Sequence, residues 1–121
     1  MCPTIVNYKD KPLMILGSPG SSRIFSTVSL FLSRIIDGQN SIDQAMLKPR
    51  IHCSMDGIIS IEEGFADDKI APYLENLGYK IDIRKRYSFF LGAIHAVLKC
   101  QTGQGFQGIA EIRRDGSAEG I

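Results

Sequence analysis

The sequence predicts an α+β layered domain, and three observations carry that prediction. Strand-like segments crowd both ends of the chain. The helical segments between them are not regularly interleaved with strands. The segment Phe90 to Lys99 is apolar at nearly every position. Regular alternation of strand and helix would indicate a doubly wound parallel sheet, and its absence argues against one. A strand apolar on both faces belongs to a sheet covered on both sides. The reading is roughly six or seven strands and three helices in one domain spanning residues 1–121.

Thr4 to Tyr8 reads as a strand, Asp10-Lys11-Pro12 as a turn, and Leu13 to Leu16 as a second, buried strand. So short a connection makes the pair an antiparallel hairpin. Small residues from Gly17 to Ser22 then end the strand. A helix follows, because Ile24, Val28, Phe31, Leu32, Ile35 and Ile36 recur at helical spacing. Gly38 suits its C-terminal cap, and Arg34 suits the negative end of its dipole. Ser41 and Gln44 have capping-box spacing, so a short second helix starts there and stops before Pro49.

Ile51 to Cys53 and Ile58 to Ile61 are brief strands around a turn at Asp56-Gly57. A third helix is expected from Asp68 to Leu77, with Ile70, Tyr73, Leu74 and Leu77 inward and Gly78 closing it. Pro72 falls in its first turn, where the missing N–H costs little. Tyr79 to Arg84 and Phe90 to Lys99 are strands. Thr102 to Gly105 is a turn, and Phe106 to Ile112 is the last strand.

Composition excludes several functions. Fourteen Lys and Arg against thirteen Asp and Glu leave a net charge of +1, too small a field to favour nucleic acid. No apolar run reaches the length of a membrane span. The first residues lack the basic-then-apolar pattern of a signal peptide. Cys2, Cys53 and Cys100 are far apart and form no paired motif, so neither a zinc site nor a disulfide framework is expected. No cofactor or metal is implied.

The segment Gly17 to Arg23 is the most informative for chemistry. Gly20 permits backbone conformations other residues resist. Ser21 and Ser22 follow at a helix start, where several N–H groups lack intrahelical partners. Such donors suit an anion or a developing oxyanion, and they equally suit an ordinary serine-capped turn. The segment has neither the spacing of a phosphate-binding loop nor that of a nucleophile elbow.

Other candidates read as structural. His52 precedes Cys53, but neighbours on a strand point to opposite faces. His95 lies inside an apolar strand and reads as a core histidine. Glu62-Glu63 reads as solvated surface and Asp67-Asp68 as a helix cap. Arg84-Lys85-Arg86 reads as an exposed loop without an aromatic stripe.

Three ordered segments resemble the γ-glutamyltranspeptidase family: Met1-Cys2-Pro3-Thr4-Ile5-Val6, Gly17-Ser18-Pro19-Gly20-Ser21-Ser22-Arg23-Ile24, and Ala45 to His52 with Lys48-Pro49-Arg50-Ile51-His52. Glu62 to Phe65, Leu74 to Lys80, Gly92 to Val97 and Gly108 to Gly116 continue the resemblance over almost the whole chain. It implies part of an N-terminal-nucleophile hydrolase fold, an αββα sandwich incomplete without an upstream segment. Members cleave themselves, and a new N-terminal threonine attacks a γ-glutamyl amide such as glutathione. The acyl group then passes to water or to an amino-acid or peptide acceptor.

This chain resembles the C-terminal portion of the small subunit. The family's two oxyanion-hole glycines correspond to Gly20 and Ser21. Family members also carry paired carboxylate-binding serines before Met1, the threonine nucleophile, and a large-subunit arginine. Thr4 matches a strand threonine, not the nucleophile. Glu111, Ile112 and Ile121 replace a usual aspartate, proline and tyrosine.

Two functional readings follow. In one, the chain is a fragment of a γ-glutamyl-transferring enzyme, inactive alone, that supplies backbone donors. In the other, it is a truncated non-catalytic module acting in assembly or binding. The partner is then an upstream or large-subunit polypeptide, or a second copy. The resemblance implies a periplasmic or cell-surface location for exported members, and the chain itself leaves the location open.

Overall fold

Strands β1 (Thr4–Tyr8) and β2 (Lys11–Gly17) pair as the expected antiparallel hairpin. The reversal sits at Lys9-Asp10, earlier than the sequence suggests. Both residues have positive φ, 49° and 61°, as a two-residue type I′ turn requires. Pro12 lies inside β2, paired with Asn7 just past a register shift, where the sheet tolerates a residue without an N–H. The computed structural model describes residues 1–65, 69–100 and 103–120. The expected caps at Asp67-Asp68, the start of the turn at Thr102, and Ile121 lie outside them.

Helix α1 (Ile24–Ile36) follows, then α2 (Ile42–Leu47), β3 (Ile51–Cys53), β4 (Ile58–Glu62), α3 (Ile70–Asn76), β5 (Lys80–Arg84), β6 (His95–Lys99) and β7 (Phe106–Ile109). The strands form two sheets. One is fully antiparallel in the order β1-β2-β6-β7, and the other has the order β3-β4-β5 with β4 and β5 parallel. The mixed architecture agrees with the α+β expectation.

The two faces of the larger sheet differ. Leu16, Ala96 and Ile109 stand in register across β2, β6 and β7, as do Met14 and Leu98. With Val28 and Phe31 of α1 and Ile42, Ala45 and Met46 of α2, they make the core. The row Ile5–Ile15–Val97–Gly108 faces the other way. Ile5 is 62% exposed, Ile15 53% and Val97 46%. The sheet is therefore covered on one face among the described residues, not on both.

Four further expectations change. The strand read over Phe90 to Lys99 begins only at His95, because Phe89–Leu91 is a 3-10 turn and Gly92 has φ 83°. An apolar run carries no information on whether it is extended, and here its first half is a buried irregular segment. Ile112 leaves the last strand for a 3-10 turn, Ile112–Arg114. The third helix has no buried residue, and Tyr73 and Leu77 are exposed rather than inward. Helix α1 is as read, except that Ile36 is exposed and the positive φ after the helix falls on Gln39, not Gly38. The capping box at Ser41 and Gln44 is present on both sides.

Candidate functional site

The turn from β2 into α1 concentrates unusual backbone. Gly20 has φ 140° and Ser21 φ 52°, and a 3-10 turn over Ser21–Arg23 leads into α1. Arg23 N–H donates to Gly20 O at 3.0 Å. Among the described residues, no acceptor takes the N–H of Gly20 or of Ser21. Ser21 keeps the left-handed conformation that glycine adopts freely, and its side chain is exposed among the described residues. The structure thus places Gly20 and Ser21 together at a surface turn, with two adjacent main-chain donors.

That turn is backed by the buried segment Leu91–Ile94. A Cβ on Gly20 would stand 3.4 Å from Gly92 Cα. Four side chains fix this segment's backbone. Thr27 Oγ1 lies 2.9 Å from Leu91 O. Arg50 Nη1 donates to Leu91 O and to Gly92 O at 3.3 and 3.1 Å. Ser18 Oγ accepts from Ala93 N–H at 3.1 Å while donating to Pro19 O. Glu111 Oε2 accepts from Ile94 N–H at 2.8 Å. Ser18, read from the sequence as a turn residue, is fully buried and ties the Gly-Ser-Pro-Gly turn to this segment.

Arg50 and Glu111 belong to a buried network of two cations and two carboxylates. Arg50 Nη2 meets Glu111 Oε2 at 2.7 Å, and Arg113 Nη1 meets Glu111 Oε1 at 2.9 Å. Arg113 donates through Nε and Nη2 to both oxygens of Glu62 at 2.8 Å, a fork that aligns the two groups. Arg50 N–H also donates to Glu62 Oε2 at 2.9 Å. All four residues are buried. Burial pushes the Glu111 carboxyl up. The charge of Arg50, the Ile94 N–H and Arg113 pull it further the other way, and the net result lies below its ordinary range.

Several sequence readings change here. Glu62 is fully buried rather than solvated, because it sits on the central strand of its sheet and is satisfied by Arg113. Glu63 is exposed, as expected. His95 is exposed rather than buried: it starts β6 on the uncovered face. His52 is buried and Cys53 exposed, so the two do face apart. His52 Nδ1 lies 2.9 Å from Ser26 Oγ. Burial, then the charge of Arg23, holds its pKa below the ordinary value. Among the described residues, no three ligand-type side chains cluster to hold a metal.

Reasoning from sequence missed Arg50, Arg113 and Glu111 as a unit. The available signal was charged residues beside apolar strand segments, at Arg50-Ile51 and Glu111-Ile112-Arg113. No helix among the described residues is long and apolar enough to cross a membrane.

Comparison with known proteins adds a consistent set of matches. A family model described as Gamma-glutamyltranspeptidase matches residues 1–121. The glutathione hydrolase proenzyme of Bacillus subtilis (strain 168) is 28% identical over 121 residues, which is 100% of this chain and 20% of that protein. The Escherichia coli (strain K12) glutathione hydrolase proenzyme is 34% identical over 86 residues, 70% of this chain and 15% of that protein. The chain therefore spans about a fifth or less of these relatives' length.

Among solved structures, a mutant Helicobacter pylori gamma-glutamyltranspeptidase superposes with a TM-score of 0.77 at 32% identity, covering 93% of this chain and 60% of that one. A Pseudomonas nitroreducens gamma-glutamyltranspeptidase complexed with L-DON gives a TM-score of 0.82 at 24% identity, covering 100% of this chain and 62% of the other, a likeness of fold.

Proposed function

Because the chain belongs to the γ-glutamyltranspeptidase family over its whole length, with part of the N-terminal-nucleophile hydrolase fold, we propose that it is the oxyanion-stabilising portion of a γ-glutamyl-transferring enzyme. The observation that carries this reading is the pair of adjacent, unengaged N–H groups at Gly20 and Ser21, on a turn braced from behind by Leu91–Ile94. In the family's reaction a threonine hydroxyl attacks the γ-glutamyl amide carbonyl, and negative charge grows on the carbonyl oxygen. Two fixed donors at that oxygen stabilise the transition state, typically by about 3 kcal/mol for each donor that mutation removes. The amine then leaves with a proton, and water or an amino-acid or peptide amine takes the acyl group.

Donors without a nucleophile do not turn over. The chain alone is accordingly inactive, and its partner is a polypeptide carrying the family's threonine. The uncovered apolar row Ile5–Ile15–Val97 favours such a partner. It lies beside a groove of about 550 Å³ whose lining includes Pro3, Ile15, Pro19 and Val97. A sheet face of this kind is normally covered. The same row is what would favour the second reading, an assembly module without catalysis.

The two readings are separated by a replacement experiment. The chain is placed in the Bacillus subtilis glutathione hydrolase in exchange for the segment it matches, and release of the anilide from a γ-glutamyl anilide is followed. The enzyme reading expects no turnover by the chain alone and turnover by the chimera, lost by at least about a hundredfold on Gly20→Pro, which removes that N–H and, because proline cannot adopt a φ of 140°, the turn that presents both donors. A soluble, self-cleaved chimera without turnover would overturn it and leave the assembly reading.

A further inference from the structure

Two buried side-chain polar atoms among the described residues find no partner in the protein, Arg23 Nε and His52 Nε2. Both residues line the same cleft, of about 470 Å³, which shares no lining residue with the apolar groove. Unpartnered buried polar atoms are rare enough that each calls for an explanation, and two in one cleft call for a common one.

The cleft is polar by construction. His52, Ser60 and Asp82 stand in register across β3, β4 and β5. Asp82 is already engaged: it accepts from Ser60 Oγ at 3.0 Å and pairs with Arg84 at 2.5 Å. The Phe90 ring is held between two guanidinium groups, with Arg23 at 4.1 Å and Arg84 at 4.0 Å from its centroid. Among the described residues, Arg84 is the one of these cations paired with a carboxylate, and neither Arg23 nor Lys80 has a carboxylate oxygen within 4.0 Å. Asp56 also lines the cleft, and the Ser54 hydroxyl, helped by the charge of Lys80, holds its carboxyl below the ordinary range.

The histidine supplies the opposite polarity. Ser26 Oγ donates to Arg23 O at 3.1 Å, so its contact with His52 Nδ1 at 2.9 Å is one in which the ring N–H donates. In the neutral ring this leaves Nε2 a bare acceptor. Among the described residues, the cleft therefore offers one unpartnered cationic donor at Arg23, a lysine whose charge is shared with Asp56, and one unmatched acceptor.

We propose that this cleft binds a small oxyanion that also carries a hydrogen-bond donor, the chemistry shared by an α-hydroxy carboxylate and a hydrogen phosphate. The anionic oxygens take Arg23 and Lys80, and the hydroxyl donates to His52 Nε2. Both unpartnered atoms are buried, so binding requires Arg23 to move along the face of Phe90, a stack that no ion pair among the described residues locks, and His52 Nε2 to be uncovered as it does so. The site is independent of the γ-glutamyl reading and of the Gly20–Ser21 donors.

The test is a set of NMR titrations of the full, isotope-labelled chain at neutral pH, with glycolate, acetate and inorganic phosphate in separate arms. The signals followed are the Arg23 Nε–H and the His52 ring. The proposal expects a saturable shift of both with glycolate or with phosphate, and the arm that saturates identifies the class. Acetate, which lacks the donor, binds at least about fivefold more weakly than glycolate, the worth of one hydrogen bond.

Arg23→Gln and Lys80→Gln each weaken binding, and Arg114→Gln, exposed and outside the cleft, leaves it unchanged. Lys80 is exposed, so its variant carries the test if Arg23→Gln does not fold. No saturable shift with either anion, acetate binding as tightly as glycolate, or binding unaltered in Lys80→Gln would each overturn the proposal.

Discussion

Glu111→Gln is the substitution that most directly tests how the Gly20–Ser21 turn is braced. The Glu111 carboxylate takes four donors. Oε2 receives Arg50 Nη2 at 2.7 Å and Ile94 N–H at 2.8 Å, and Oε1 receives Arg113 Nη1 at 2.9 Å and Arg113 N–H at 3.2 Å. Glutamine matches the shape but has a single acceptor oxygen, so its NH₂ opposes two of these donors. It also removes one of two negative charges facing two buried arginines. Breaking one side of a buried ion pair costs about 3–5 kcal/mol, because the remaining charge keeps its desolvation penalty. A chain of this size has a total stability on the order of 6–18 kcal/mol. The expected loss is therefore a large share of the whole, and roughly 10–20 °C in Tm.

Urea unfolding followed by circular dichroism measures the loss, with Arg114→Gln as an exposed control within about 0.5 kcal/mol of the parent. Hydrogen exchange adds a local readout: the Ala93 and Ile94 amides lose protection before the rest of the core. If Glu111→Gln costs less than about 1 kcal/mol, or if those amides exchange as in the parent, the network is not what holds the segment, and the reasoning fails.

Other predictions concern strain, packing and pH. Gly92→Ala drives a Cβ into Thr27 Oγ1 at a φ of 83°, whereas Gly57→Ala, at φ 80°, meets nothing within 4 Å among the described residues. In denaturant melts Gly92→Ala costs at least about 2 kcal/mol more than Gly57→Ala, since only the first adds a clash to the left-handed backbone penalty. Ser21→Gly relieves a left-handed serine and stabilises by about 0.5–1 kcal/mol, read as a raised urea midpoint without a change in slope.

Glu111 has a folded pKa below its unfolded value, so its contribution is present above about pH 4.3 and is lost as pH falls through the folded value. The acid limb of the stability curve is accordingly shallower in Glu111→Gln. His52 also has a lowered folded pKa. The unfolded chain thus gains the proton first as pH falls below about 6.5, stability declines there, and His52→Gln removes that decline.

The elements legible in the sequence are those whose signal is local. The helical spacing of Ile24, Val28 and Phe31 and the Ser41–Gln44 box involve residues within one or two turns of each other, and both appear as read. The family motif at Gly17 to Arg23 is equally local, and it located the turn carrying the candidate donors. The misread segments are those where tertiary partners decide. Phe90 to Ile94 is as apolar as a strand, but Arg50, Ser18 and Glu111, 41, 75 and 17 residues away, take up its backbone groups, so no neighbouring strand is needed. Tyr73 and Leu77 keep an amphipathic spacing whose inward side meets little, and the sequence does not encode what a helix lacks to pack against.

The same distinction explains why the network behind the site was invisible while its front was not. Glu62 carries the pattern of a strand-end surface residue, and what reverses that reading is Arg113, 51 residues later. A buried carboxylate is tolerable only with its cation in place, so the assignment of Glu62 depends on a pairing no local window contains. Replacing such a network by apolar side chains is often neutral or stabilising, so stability alone does not account for four ionised groups here. Their arrangement does: Arg50 and Glu111 spend their remaining hydrogen bonds on Leu91, Gly92 and Ile94. Gly92 in turn stands directly behind Gly20. An apolar substitute would fill the same space and leave those backbone groups without partners, releasing the segment that braces the candidate donors.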